Sequence, residues 1–120
     1  MAADFEVVRS AGMPVAATRR AGVSERRLIG PAQSSWQNLV LVDFVDGAEV
    51  EWHRISPSES LFIIQGEFEV ETATGVKRLE PGDLCYFPPG SSHGLRCSRG
   101  PAQVLVVFAP AADDSRPGAG

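Results

Sequence analysis

The sequence predicts an all-β fold, and two patterns carry this prediction. Short runs of β-branched and aromatic residues recur along the chain, separated by turn signals such as Asp46-Gly47 and Pro88-Pro89-Gly90. Counting these runs gives roughly eight or nine short strands, which is typical of a sandwich or a small barrel. The only helical candidate, residues 24–28, would form about one turn. We therefore expect a single β-rich domain.

The 120 residues divide into three predicted segments. Residues 1–35 form an N-terminal arm with a lead-in strand at 14–18. Residues 36–109 form the barrel. Residues 110–120 are small, polar and rich in Pro and Gly, so we expect a disordered tail there.

Strand boundaries follow from apolar runs and from the turn residues between them. Residues 39–45 are apolar except for Asp43 and rich in β-branched side chains, which indicates a strand buried on both faces. Residues 21–35 are polar and contain Gly22, Gly30 and Pro31, so they are predicted to be loop. The further predicted strands span 49–55, 59–65, 67–72, 76–79, 83–87, 93–98 and 103–109.

Charge argues against a nucleic-acid partner. The formal net charge is −4, whereas phosphate binding is driven by clustered cations. Basic residues gather at Arg19, Arg20, Arg26 and Arg27. Such a group fits either a solvated surface or a site for an anionic ligand.

The two cysteines and the hydropathy pattern indicate a cytoplasmic protein. Cys85 and Cys97 are too few for a disulfide framework and lack CxxC spacing, which favours a reducing compartment. No charged start is followed by an apolar run, and no apolar stretch reaches membrane-spanning length. We therefore expect neither a signal peptide nor a membrane partner.

Both histidines and one glutamate can meet inside the predicted barrel. His53, Glu59 and His93 each lie near an end of a predicted strand. A buried carboxylate is unfavourable without a partner, and two imidazoles with one carboxylate form a candidate divalent-metal site. Two other interpretations stay open. The histidines can be core residues bonded to Glu59 with no metal, or Glu59 can be a solvated charge at the barrel mouth.

Strand alternation also predicts the side chains around this cluster. Residues two apart on a strand share a face, which groups Glu51 and Ile55 with His53. Cys97 can be a small buried residue or a thiol lining the pocket, and Tyr86 can be a pocket hydroxyl or a core residue. The predicted pocket residues are Glu51, Ile55, Leu61, Ile63, Gln65, Tyr86, Leu95 and Cys97.

The stretch 47–97 resembles the cupin superfamily. Its first motif is G-x5-H-x-H-x3-4-E-x6-G, and its second is G-x5-P-x-G-x2-H-x3-N. The two motifs occur here in the correct order with a short hairpin between them. The resemblance implies a double-stranded β-helix of the jelly-roll type, as in RmlC-like barrels. The positions that match are Gly47, His53, Glu59, Gly66, Gly82, Pro88, Gly90 and His93.

Two positions depart from the family pattern. Ile55 stands where the first motif has its second histidine, and Cys97 stands where the second motif ends in asparagine. Cupins usually hold a metal with three histidines and a glutamate, so the resemblance implies that His53, Glu59 and His93 are the metal ligands. The departure at Ile55 leaves either a three-ligand site or no metal. Three such ligands suffice for non-haem Fe(II), or for Zn(II) with a water.

The resemblance implies more than one function. The first hypothesis is a metal-dependent enzyme that uses Fe, Mn, Ni or Zn on a small organic molecule, with dioxygenase, decarboxylase or isomerase chemistry. The second is a metal-free module that binds or senses a small molecule, which Ile55 supports. A weaker third is a sugar epimerase or isomerase with His53 or His93 as base and Tyr86 as acid. Small single-barrel cupins commonly form dimers, and we expect a homodimer in which residues 1–35 take part.

Overall fold

A computed structural model describes residues 4–111 of the chain. One 3₁₀ turn, Ser10–Gly12, precedes the first strand, and no α-helix occurs in the described part. The predicted all-β fold class is confirmed. The tail predicted at 110–120 lies outside the described residues except for its first two positions. The strands are β1 Ala16–Ala17, β2 Val23–Ile29, β3 Asn38–Phe44, β4 Glu49–Arg54, β5 Ser58–Thr72, β6 Gly75–Leu79, β7 Leu84–Phe87 and β8 Ser92–Ala109.

Two long strands, β5 and β8, each run through both halves of the jelly roll. They pair antiparallel from Ser58 opposite Ala109 to Glu71 opposite Gly94. The first half of β5 and the second half of β8 lie in a sheet with the order β1-β2-β3-β8-β5-β7. Their other halves continue into a sheet with the order β4-β8-β5-β6. The apolar core lies between these two sheets.

Gly66 lets β5 turn from one sheet into the other. Its φ is +80°, and a Cβ there would lie 2.7 Å from the carbonyl oxygen of Arg99 and collide with Ala102. The pairing with β8 also shifts register on both sides of Gly66. Because the chain bends without losing its pairing, the strands predicted at 59–65 and 67–72 are one strand. The same holds for those predicted at 93–98 and 103–109, which together form β8.

The loop predicted at 21–35 is wrong in its centre. β2 occupies that region and pairs antiparallel with β3, from Val23 opposite Phe44 to Ile29 opposite Leu39. Only Val23 of its seven residues is buried, and the other six are half-buried. Pairing with a buried neighbour stabilises a polar strand whose own sequence lacks alternation. The helical turn considered at 24–28 is likewise strand.

The core is apolar and aromatic. Phe44 and Phe68 meet edge to face, with 5.0 Å between ring centroids and 84° between planes, a favourable aromatic geometry. Around them pack Val40, Val42, Val50, Leu61, Ile63, Val70, Leu95, Val104, Val106 and Phe108, all buried. No helix within residues 4–111 is long and apolar enough to cross a membrane.

Candidate metal site

His53, Glu59 and His93 converge between the two sheets at one end of the barrel. His53 in β4 lies directly opposite His93 in β8, while Glu59 in β5 lies opposite Phe87 in β7. One ligand-capable atom from each of the three residues lies within 4.8 Å of the other two. Glu59 and His93 are each only 2% exposed, and His53 is half-buried. The structure therefore brings together the three residues singled out from the sequence.

Glu59 presents a carboxyl oxygen without a hydrogen-bond partner. Its Oε1 is buried and lies 3.4 Å from Nε2 of His93, but the two atoms are not placed to form a hydrogen bond. Burial raises the pKa of Glu59 to about 8, although the positive charge of Arg20 opposes the rise. Near neutral pH the carboxyl group is therefore mostly protonated. A buried polar atom without a partner is costly, so this oxygen is poised for a ligand that residues 4–111 do not supply.

His93 is held by stacking rather than by hydrogen bonds. Its ring lies parallel to that of Phe87, and its buried Nδ1 has no hydrogen-bond partner within the described residues. Burial, followed by the charges of His53 and Arg20, lowers the pKa of His93 to about 4. The imidazole is therefore neutral at physiological pH, so its contact with Glu59 is not an ion pair. A neutral imidazole is the form that binds metals.

His53 has a defined tautomer. Its Nδ1 lies 2.9 Å from the backbone carbonyl oxygen of Glu51. A carbonyl oxygen can only accept, so Nδ1 carries a proton and donates. Nε2 is then the ring nitrogen left for a metal. A hydrogen bond from the other ring nitrogen to a carbonyl oxygen is characteristic of metal-binding histidines.

These three side chains can hold a metal ion. They supply two imidazoles and one carboxylate, the donor set of non-haem Fe(II) sites, which also suits Mn, Ni and Zn. The buried oxygen of Glu59, which has no hydrogen-bond partner among the described residues, fits a metal ligand better than it fits a packed core or a closed hydrogen-bond network. The interpretation of Glu59 as a solvated charge at the barrel mouth is excluded by its burial.

The apolar residues predicted to surround the cluster are buried. Leu61 and Ile63 follow Glu59 on the inward face of β5, and Leu95 follows His93 on that of β8. Ile55 comes directly after β4, and it is 5% exposed where a fourth ligand would stand in a typical cupin. Cys97 is fully buried opposite Phe68, and it is not a member of the His-Glu-His group.

Three predicted pocket residues lie elsewhere. An extra residue in β4 turns Glu51 outward, where its side chain is 54% exposed and paired with Arg19 and Arg20. Gln65 is exposed, because the register shifts after Ile63 and ends the inward alternation of β5.

Tyr86 also lies on the other face. It is 59% exposed, since Phe87 occupies the inward position of β7 beside Glu59. The idea that Tyr86 acts as an acid at the site therefore has no support in the geometry.

Two contributors to the site were not recognised from the sequence. The sequence around Phe87 indicates no more than core packing, although the Pro88-Pro89-Gly90 turn after it fixes its place beside His93. Arg20 was grouped with surface arginines, but it is only 8% exposed and its charge acts on both Glu59 and His93. No local pattern signals this burial, because it depends on how the turn between β1 and β2 packs.

Comparison with known proteins identifies the family. A family model of the cupin domain matches residues 40–108, which is more than half of the chain. The chain belongs to the cupin family. The resemblance drawn from the two motifs is thereby confirmed.

Solved cupin structures share the fold over nearly the whole chain. KdgF from Halomonas sp. superimposes with a TM-score of 0.81 at 23% identity, covering 92% of this chain and 100% of that one. An RmlC-like cupin from Shewanella frigidimarina gives a TM-score of 0.81 at 24% identity, covering 94% and 97%. At these identities the likeness shows a common cupin barrel.

A curated relative matches part of the chain. A protein from Arthroderma benhamiae named "Probable oxalate decarboxylase" is 29% identical over 65 residues. The match covers 50% of this cupin and 16% of that protein. The present chain therefore corresponds to a small part of its relative.

Proposed function

We propose that this cupin is a metal-dependent enzyme acting on a small organic molecule, with His53, Glu59 and His93 as the metal ligands. The observation that carries the proposal is a group of two imidazoles and one carboxyl group whose ligand atoms lie within 4.8 Å of one another, in which buried Oε1 of Glu59 has no hydrogen-bond partner among the described residues. Three protein ligands leave coordination positions open. A divalent ion held there would polarise a bound substrate or activate water or dioxygen.

The side chains of the barrel supply the environment for this chemistry. His53 and His93 offer nitrogen donors, and Glu59 gives up its proton when it becomes a ligand. The apolar side chains of Ile55 and Leu61 are buried beside them and limit the access of water. A dry site strengthens the electrostatic effect of whatever charge it holds.

A small organic acid is the first substrate class that we would screen. Arg19 and Arg20 both pair with the carboxylate of Glu51, so two cationic side chains lie on that side of the site. The curated relative is named for oxalate decarboxylation, which concerns a dicarboxylic acid. Dioxygenase, decarboxylase and isomerase reactions on such acids all belong in the screen.

Elemental analysis tests the proposal directly. The protein is purified without a nickel column and compared with His53→Ala, His93→Ala and the control Glu71→Gln, which alters an exposed carboxylate of β5. We expect close to one equivalent of Fe, Mn, Ni or Zn in the wild type and in the control, and a loss of metal from both histidine variants. Absence of metal from the wild type after soaking with each of these ions would refute the proposal.

One observation favours a second function, a metal-free module that binds or senses a small molecule. Ile55 is 5% exposed and belongs to the apolar core at the position of the missing ligand. An apolar wall there suits an organic ligand. If the wild type takes up no metal, native mass spectrometry should reveal a co-purified small molecule, which is released on denaturation.

Exposed apolar side chains support the prediction of a homodimer. Phe62 and Leu84 lie opposite each other on the outer face of β5 and β7, and they are 42% and 64% exposed. Phe5 and Val7 of the N-terminal arm are also exposed. We expect twice the chain mass in multi-angle light scattering, and a shift towards monomer in the double variant Phe62→Ser, Leu84→Ser.

A cytoplasmic location stays a prediction, which the two free thiols, Cys85 and Cys97, support.

A further inference from the structure

Strand β4 contains a bulge that decides where His53 points. From Val50 to His53 it takes three residue steps, whereas the facing strand β8 takes two, from Leu95 to His93. Val50 and His53 therefore both face inward. Glu51 and Trp52 occupy the bulge, and both are exposed. With strict alternation Val50 and His53 would lie on opposite faces, so the bulge brings the metal-binding imidazole into the barrel.

Glu51 is connected to both sides of this bulge. Its backbone carbonyl accepts the hydrogen bond from Nδ1 of His53 at 2.9 Å. Its carboxylate accepts from Nη2 of Arg19 at 2.8 Å. The same carboxylate accepts from Nε and Nη2 of Arg20 at 3.3 and 3.4 Å. One residue thus joins the arginine pair to the candidate metal ligand.

Arg20 is the anchored member of the arginine pair. Its side chain is 6% exposed, whereas that of Arg19 is 50% exposed. The turn that carries Arg20 is fixed, because Val23 N and Thr18 Oγ1 both donate to the Arg20 carbonyl. A buried guanidinium on a fixed turn restricts its partner carboxylate far more than a solvated one does.

We propose that Arg20 and Glu51 form a clamp that holds the β4 bulge and thereby orients His53 for metal binding. Arg20 and Glu51 are positioning residues, since neither is a ligand. The clamp also gives residues 1–35 a role in the site, because this segment delivers Arg20 to the barrel mouth. The proposal rests on the proposed function for its metal, but the orientation of His53 can be measured without any metal.

The test combines the imidazole tautomer with zinc affinity. The chain has only two histidines, so the ¹⁵N spectrum of their side chains is simple, and His53→Gln assigns it. In the metal-free wild type at about pH 8.5, well above the usual histidine pKa, we expect His53 with its proton on Nδ1. Arg20→Met and Glu51→Ala should give mixed tautomers and bind zinc about 10- to 100-fold more weakly. Arg19→Met is the matched control, since it removes an equal positive charge, and it should leave the tautomer unchanged.

Each outcome decides the proposal. Removing a positive charge can itself change zinc affinity, so the tautomer is the decisive readout. A folded Arg20→Met with the wild-type tautomer would overturn the clamp, whatever its affinity. Should Arg20→Met fail to fold, Glu51→Ala decides, because its side chain is largely exposed. If the wild type binds none of Fe, Mn, Ni and Zn, the proposed function fails, and the tautomer measurement alone then tests the clamp.

Discussion

The imidazole of His93 lies parallel to the ring of Phe87, with 3.7 Å between the ring centroids and 9° between the planes. The ring of His53 also lies near His93, but it is tilted by 59° at 4.7 Å between centroids, and Nδ1 of His93 has no hydrogen-bond partner among the described residues. Stacked aromatic rings contribute about 0.5–1.5 kcal/mol beyond the area they bury. The orientation of this candidate ligand thus depends on an apolar neighbour.

Removing the stack should weaken metal binding. Phe87→Leu keeps an apolar side chain but no flat ring, so we expect zinc affinity to fall at least fivefold and the unfolding free energy to fall by about 1–2 kcal/mol. Phe108→Leu is the matched control, because Phe108 is equally buried and also lies opposite Glu59. Phe108→Leu should lose a similar amount of unfolding free energy while its zinc affinity stays unchanged. Isothermal titration and thermal unfolding measure both effects, and equal losses of affinity in the two variants would contradict the role of the stack.

Metal affinity should rise with pH between about 6 and 8. The pKa of Glu59 is raised to about 8, so a proton must leave this carboxyl group before it can bind a metal. The pKa of His93 is lowered to about 4, and its imidazole is therefore already neutral in this range. We expect apparent zinc affinity to increase by up to about tenfold per pH unit below pH 8. Calorimetry in two buffers of different ionisation enthalpy should also show close to one proton released at pH 7; no release would place Glu59 outside the ligand set.

Glu59 should destabilise the metal-free protein at alkaline pH. Its pKa is about 8 in the folded state, against 4.5 as the ordinary value for a glutamate, so the folded state binds more protons between these limits. The contribution of Glu59 to the unfolding free energy is therefore fully present below about pH 4.5 and is lost as the pH rises through 8. Glu59→Gln cannot ionise, and we expect it to be more stable than the wild type by roughly 1–3 kcal/mol at pH 8 without metal. Urea unfolding at pH 5 and 8 measures the difference, which should shrink at the lower pH.

A fourth ligand should strengthen the site. Ile55→His restores the histidine that the cupin motif usually carries, and we expect zinc affinity to rise at least tenfold at some cost in stability, since a polar ring enters an apolar core. Ile55→Phe is the control, because it adds a ring without a nitrogen donor. Affinity that fails to rise in Ile55→His, with the fold retained, would show that Ile55 does not face the metal.

Motif spacing was sufficient to predict the candidate ligands. His53, Glu59 and His93 sit at fixed distances from turns at Gly47, Gly66 and Gly90, all of which have positive φ. Turns of this kind set where strands begin and end, so the spacing along the chain becomes a spacing in the barrel.

Strand alternation was less reliable, since it fails wherever an extra residue enters a strand. The bulge after Val50 reversed the predicted side of Glu51, and the shift after Ile63 exposed Gln65. No glycine or proline marks the bulge in β4, and Gly66, which follows Gln65, does not indicate where the register shift begins. The strand at Val23–Ile29 was missed for a related reason, because its stability comes from pairing with β3 rather than from its own composition.

The passage of β5 and β8 through both sheets has a consequence for unfolding. Neither sheet can open by itself, because the hydrogen bonds between these two strands continue from one sheet into the other. The backbone amides of β5 and β8 should therefore exchange with solvent at one common rate on either side of the bend at Gly66. Since both sheets contribute a ligand, a metal bound by His53, Glu59 and His93 would slow that exchange throughout the barrel rather than only at its mouth.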